Sequence, residues 1–462
     1  MVENSIMNEL ARRDTDRIRR YREMMDFYHG KQWVGREVYG EKRLTFNYAR
    51  VFIDKLTSYL MSGMKFIVET GETSDGAKAR EKRAEAALRE VYEENNLEQL
   101  DFETEIDCAI LGDACYKVLW DAASKRVRIT SPDVQGIYVW WRGDDISRIW
   151  KVAARYILSA EEAEYLYQVK PRDKQATLVE IWTDDDLALY LDDMLLEKKP
   201  NPYGWIPFIV FPNLREPKEF WGVSDLTQVM EPQRELNRAL SQLSRILELS
   251  GNPIAVLENV EQSQDIAVRP GAVWNIPEDA RAYLLDLLQG GGVRLHIDYI
   301  DVLYRILHDI SESPRAAFGG VGRDLSGVAM QIELYPLWQK VKRKRLIRAT
   351  VYRRRCEMVL RLLEKYRGGR FGSCPVEVVW EPSLPQDVSR LVADEQSLVQ
   401  TGIHSRRRAM DELRVKDPEL EFNRWLEERE IILSMNKRLN ARAVKGGASE
   451  RAIEARADGV EE

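Results

Sequence analysis

PQRELNRALSQLSRILELSG, Pro232–Gly251, and VRLHIDYIDVLYRILHDI, Val293–Ile310, are the two stretches whose reading decides the fold. In the first, Leu236, Leu240, Leu243 and Leu247 recur at three- and four-residue intervals, which predicts an amphipathic helix ending near Leu249. Upstream, Ser224 is placed to cap that helix, and Pro232 should kink or restart it by removing a donor and clashing with the preceding turn. The second stretch is helical by the same patterning. Between them, Gly251–Gly292 is punctuated by Pro253, Pro270-Gly271 and Pro277 and carries the β-branched runs Ile254-Ala255-Val256 and Ala272-Val273-Trp274, which predicts a small α/β cap. Two struts with a cap at one end and a loop at the other suit the wall of a ring better than an enzyme pocket.

That loop is Gly319-Gly320-Val321-Gly322-Arg323-Asp324. Its glycines expose backbone donors as a phosphate cradle would, but it lacks a Gly-Lys-Ser/Thr ending and follows no strand, so a nucleotide site is not indicated. A flexible connector and a DNA-facing loop are both consistent with it. It feeds a long helical pattern, Ser326–Tyr366, interrupted by Pro336. No acidic residue stands between Leu334 and Cys356, whereas Lys340, Lys342, Arg343, Lys344, Arg345, Arg348, Arg353, Arg354 and Arg355 do. On a helix these nine spread around most of the circumference, so they cannot share one partner. The favoured reading is a solvated or inter-subunit helix with some cations paired to a neighbouring copy; direct contact with DNA is the alternative.

The flanking sequence is mixed. Helical patterns run over Asn8–Tyr28, Tyr48–Met61, Gly76–Leu97 and Leu100–Leu111, with Val51, Phe52, Lys55, Leu56, Tyr59 and Leu60 on the expected inner side of the second. Short β-like runs follow at Phe66–Glu69, Cys115–Leu119, Val127–Thr130, Gly136–Trp141, Ile149–Tyr156, Val179–Thr183 and Leu187–Leu191. Alternation in the third of the later runs sends Tyr138 and Trp140 to one face and Trp141 to the other, so both faces should be covered. A strand at Pro375–Glu381 precedes helices near Gln386–Thr401, Ser405–Leu413 and Pro418–Leu433, and the residues from Lys437 on should fray. The fold class is α+β, mainly α.

Composition narrows the function. At 462 residues the chain exceeds one ordinary core. The longest apolar run, Trp205–Phe211, contains Pro207 and is far too short for a bilayer span, and the polar N-terminus has no secretory core, so intracellular residence and no membrane are expected. A net charge of −7 argues against a surface that clamps nucleic acid everywhere, while a restricted basic zone suits DNA that must pass without sticking. Cys108, Cys115, Cys356 and Cys374 lack metal-ligand spacing and read as buried thiols. His29, His296, His308 and His404 are scattered, and no nucleophile-elbow motif occurs, so no catalytic residue, metal or cofactor is assigned. Asp184-Asp185-Asp186, with Asp192-Asp193, is the one candidate for Mg²⁺-dependent nuclease chemistry, against the simpler reading of a solvated turn.

Several short segments, in order, resemble the portal proteins of tailed bacteriophages: Tyr28-His29-Gly30-Lys31-Gln32-Trp33, Asn47-Tyr48, Ile53-Asp54, Tyr59-Leu60-Met61-Ser62-Gly63, Trp221-Gly222-Val223-Ser224-Asp225-Leu226, Asn237, Ser241, Asn252-Pro253, Ser326-Gly327-Val328-Ala329, Gly402-Ile403-His404-Ser405 and Asp417-Pro418. The resemblance spans about residues 20–430; His404 departs from the small or polar residue expected there. It implies a wing over 1–223, stem helices at 224–250 and 293–312, a clip at 251–292, a tunnel loop within 313–325, a long kinked helix and wing strand over 326–383, a crown over 384–437, and a disordered tail at 438–462. It also implies a homo-oligomeric ring of about twelve subunits at a capsid vertex, assembled in the host cytoplasm. Double-stranded DNA would cross it, driven by the large subunit of a terminase, and capsid and head-completion proteins would bind it. A metal-dependent nuclease and a helical scaffold or adaptor without DNA contact are the competing classes.

Overall fold

A computed structural model describes residues 5–36, 41–72, 74–251, 254–258, 281–285, 292–319, 327–372, 374–380, 388–413, 415 and 417–457. The chain divides into two compact units, Met1–Ser383 and Leu384–Glu462. Helices dominate and strands are fewer, so the α+β, mainly α, class holds.

The first unit opens with α1 (Ile6–Arg13) and α2 (Thr15–Tyr28), where a single helix was expected. The break is at Asp14, whose φ of −124° leaves the helical region and whose carboxylate pairs with buried Arg17. Then come α3 (Tyr48–Leu60), β1 (Met64–Val68), α4 (Asp75–Glu94) and α5 (Leu97–Leu111). On α3 the buried face is Ala49, Phe52, Ile53, Leu56, Thr57 and Leu60; Val51 and Lys55, expected inside, are exposed.

Strands β2 (Asp113–Asp121) and β3 (Arg126–Thr130) form a hairpin, and β4 (Ile137–Arg142) and β5 (Asp145–Ser159) form another. A short helix, α6 (Ala160–Tyr167), leads into β6 (Gln175–Trp182), β7 (Asp186–Leu191), β8 (Met194–Pro200) and β9 (Phe208–Pro212). The sheets are a five-stranded antiparallel meander, β4-β5-β6-β7-β8, and a three-stranded sheet, β3-β2-β9, whose edge strand β9 takes up Phe208–Phe211 of the longest apolar run. Tyr138 and Trp140 pack with Leu10 and Val179 on one face of the meander, while Trp141 stacks on Phe220 from the other side, so both faces are covered.

Next are α7 (Met230–Gly251), β10 (Ile254–Glu258), β11 (Arg281–Leu285), α8 (Gly292–Ile310), α9 (Gly327–Glu333), α10 (Tyr335–Arg367) and β12 (Val376–Trp380). Helix α7 starts two residues before Pro232, where the missing amide costs no helical bond, so proline restarts the helix. Ser224 therefore does not cap α7; its hydroxyl accepts from Leu226 N in the turn ahead of it. Helices α7 and α8 pack together, β10 pairs with β11, and β12 returns to pair with β1. Most of the expected cap, and Gly320–Asp324, lie outside the described residues.

The second unit holds α11 (Val388–Gln400), α12 (Arg406–Glu412) and α13 (Pro418–Ala457). Helix α13 runs through Lys437, from which fraying was expected, to Ala457.

Candidate functional site

The long basic helix is the centre of the first unit. Leu337, Val341, Lys344, Arg348, Val351, Arg355, Met358 and Leu362 alternate at four and three residues along α10, and all eight are buried. Three of those core positions are cations, and Lys340 beside them is also buried. At about 100° per residue these four cations fall on one stripe, and each meets a carboxylate far away in sequence.

Lys340 Nζ lies 2.8 Å from Asp225 Oδ1 and donates to the Ser311 carbonyl at 3.0 Å. Lys344 pairs with Asp225 Oδ2 and donates to Asn213 Oδ1 at 2.7 Å. Arg348 clasps Glu105 with two bonds, 2.7 and 2.8 Å, and its remaining donors reach the carbonyls of Pro212 and Asn213. Arg355 clasps Asp101, which also accepts from Tyr116 Oη at 2.8 Å, and its guanidinium lies 4.7 Å from the ring centres of Tyr116 and Tyr352. Burial alone would raise the Asp225 carboxyl; Lys340 and Lys344 reverse this and hold it well below the usual carboxylate range. Burial pushes the Lys344 ammonium down, with Lys340 and Arg348 adding to the effect against Asp225.

These contacts correct the reading of Lys340, Lys344 and Arg348 as subunit-interface or DNA-contact residues. Their side chains are enclosed in their own chain, with every ion pair made internally. Arg345 is half-buried and donates to the carbonyls of Tyr59 and Leu60 and to Ser62 Oγ. Of the five candidates only Lys342 is exposed, 5.3 Å over the Trp338 ring. Gly319 ends a short turn, Arg315–Phe318, with φ of +81°, which glycine adopts freely; the rest of its loop lies outside the described residues.

The hub joins elements rather than enclosing a substrate. Asp225 stands just ahead of α7, Ser311 just past α8, Asn213 just after β9, and Glu105 and Asp101 on α5. The segment Trp221–Asp225 is threaded here by backbone fit: Gly222 N donates to Asp113 Oδ1 at 2.8 Å, and a Cβ on Gly222 would come within 2.3 Å of the Gly112 carbonyl oxygen. A second network secures the base of α7. Asn237 Nδ2 donates to Gln32 Oε1, Gln32 Nε2 donates to Asn47 Oδ1, and Gln233 Nε2 donates to the Phe46 carbonyl. Phe46 N and Leu44 N in turn donate to Asn237 Oδ1 and Ser241 Oγ. Three separated segments of the resemblance thus meet in one hydrogen-bonded joint.

Asp184 and Asp185 lie in the β6–β7 turn and Asp186 opens β7: the Asp185 carbonyl accepts from Asn201 N, and Asp186 pairs with Lys198. Asp192 and Asp193 have positive φ in the two-residue β7–β8 turn and accept from Thr177 N and from Ser5 Oγ and Met7 N. Among the described residues no group of three or more His, Cys, Asp or Glu side chains is arranged to hold a metal ion.

Residues 8–433 match the family described as phage portal protein, SPP1 Gp6-like. The chain belongs to this family of phage portal proteins. Portal proteins are oligomeric components of the virion capsid. No curated protein matches the chain. Among the portal chain's described residues, no helix is long and apolar enough to cross a membrane.

Proposed function

We propose that about twelve copies of this chain close into a ring at one capsid vertex and that double-stranded DNA enters and leaves the capsid through its central channel. In this reading 1–223 with 326–383 form the wing, 224–250 and 293–312 the stem, 251–292 the clip, 313–325 the tunnel loop and 384–437 the crown. A separate ATP-hydrolysing terminase docks on the clip during assembly in the host cytoplasm, and capsid and head-completion proteins hold the outside. Tunnel loops, Gly319–Asp324 of each copy, touch the DNA backbone without reading bases.

One observation carries the ring. On α8, Leu295, Tyr299, Val302, Ile306 and Ile310 lie on one side and are 36% to 72% exposed, while Leu303 and Leu307 are buried on another. An apolar helical face left open this way needs a cover, and a cyclic assembly supplies it from a different surface of the next copy. Particle imaging and light scattering of the purified protein test the reading: rings with a pore wide enough for a duplex are expected. Ile306→Asp should yield folded monomers, and an unchanged ring would remove this face from the interface. Compact monomers of the natural chain at every ionic strength would end the proposal. Deleting Gly320–Asp324 should leave rings intact and impair DNA packaging or retention.

A further inference from the structure

Four of the nine cations on α10 are buried and Arg345 is half-buried, while Lys342, Arg343, Arg353 and Arg354 stay exposed there; the second unit holds a basic cluster of a distinct kind. Arg406, Arg407 and Arg408 begin α12 and are all exposed. Across from them on α13, Phe422 and Trp425 stack with ring centres 5.6 Å apart. The Arg406 guanidinium lies 4.4 Å from the Trp425 ring centre, Arg429 lies 5.1 Å from the same ring, and Arg407 lies 4.4 Å from the Phe422 ring. Arg407, Arg408 and Arg424 each have a carboxylate partner, in Glu419, Glu412 and Glu421. Arg406 and Arg429 have none among the described residues.

A guanidinium resting on an aromatic face keeps its N–H donors at its own edge, loses little further freedom on binding, and suits the oxygens of a phosphodiester. Arginines that neutralise phosphates hold a duplex by its backbone and read no sequence, and the rings serve here to hold the guanidinium groups in place. Glu427, Glu428 and Glu430 follow on the same helix, so local net charge is small and the attraction is short-ranged and salt-sensitive. Such a contact holds DNA loosely enough for it to move.

We propose that Arg406 and Arg429, held on Trp425, form a contact site for the phosphate backbone of double-stranded DNA in the second unit, separate from the channel loop. The proposal rests on the portal reading for its partner. The test uses assembled full-length protein and a fluorescent duplex, with affinity measured across a salt series. Arg406→Gln/Arg429→Gln should weaken binding several-fold and reduce the slope of log affinity against log salt by about 1 per arginine. Arg406→Lys/Arg429→Lys should keep the slope, and Arg19→Gln, an exposed arginine of the first unit, should change neither quantity. An unchanged slope in the Gln pair, an equal loss in the Lys pair, or an equal loss in Arg19→Gln would each overturn the site. So would acidic polyglutamate binding as tightly as the duplex with the same arginine dependence, since the surface would then fit an acidic protein. Imaging of the same samples separates the two claims: no rings counts against the portal reading, whereas rings with unaltered DNA binding count against this site.

Discussion

Arg348 and Glu105, 243 residues apart in sequence, form a two-bond ion pair with no solvent exposure on either side chain. The pair welds α10 to α5, and neither charge has water to fall back on. Removing one partner strands the other in a low-dielectric site, whereas removing both leaves a packing problem only.

Arg348→Met should therefore cost about 3–5 kcal/mol in denaturant unfolding. Arg348→Met combined with Glu105→Leu should recover most of that loss. A double variant as unstable as the single one would show that the hydrogen bonds to the Pro212 and Asn213 carbonyls, and not the charge pairing, hold the helix.

Around Asp225 the balance differs, because Lys340 and Lys344 share one carboxylate and Arg348 stands close by. Lys344→Met removes the surplus cation and should be tolerated far better than Asp225→Asn, which leaves two buried ammonium groups facing each other. The Asp225 pKa is depressed on folding, so its pairing contributes fully above about pH 4 and is lost as pH falls through the depressed value. Acid unfolding profiles of the natural chain and Asp225→Asn should converge at the acid end.

Asp113 behaves in the opposite sense. Burial raises its carboxyl to about 6, against the Tyr21 hydroxyl, the Gly222 amide and the charges of Arg17 and Arg20. The folded chain keeps a proton that the unfolded chain, near 3.9, has lost. The cost of ionising Asp113 is absent below about pH 4, grows to about pH 6 and stays constant above, reaching about 3 kcal/mol. Asp113→Asn should raise the melting temperature at pH 8, and that advantage should shrink as pH falls to 4; an advantage independent of pH would refute the assignment.

Gly222→Ala places a methyl against the Gly112 carbonyl and the Asn213 amide, both backbone, so neither can swing aside. A loss of about 3 kcal/mol or more is expected, with a lower yield of folded chain. The exposed, open Gly143→Ala gives the comparison on volume, although its φ of +39° adds a small strain of its own.

The helical struts and most strands were legible because their apolar residues repeat at the period of the element. β8 was not: Met194–Pro200 has no inward alternation, and its Glu197, Lys198 and Lys199 are the charges that keep an edge strand from pairing with another chain. Helix α6 carries a readable signal of its own, the Ser159–Glu162 capping box. The basic helix is legible only in part: its nine cations spread around the circumference, yet Leu337, Val341, Val351, Met358 and Leu362 mark which side faces inward, and Lys344, Arg348 and Arg355 continue that side. Their partners at 101, 105 and 225 belong to other elements, and no local pattern announces them.

Lys340 touches Asp225 at the foot of one strut and Ser311 at the foot of the other with a single ammonium group. Turning either strut would strip that ammonium of a ligand where no solvent can replace it. One buried ammonium thus pins the lower ends of α7 and α8 to each other and to α10, and sets a cost on rotating either of them.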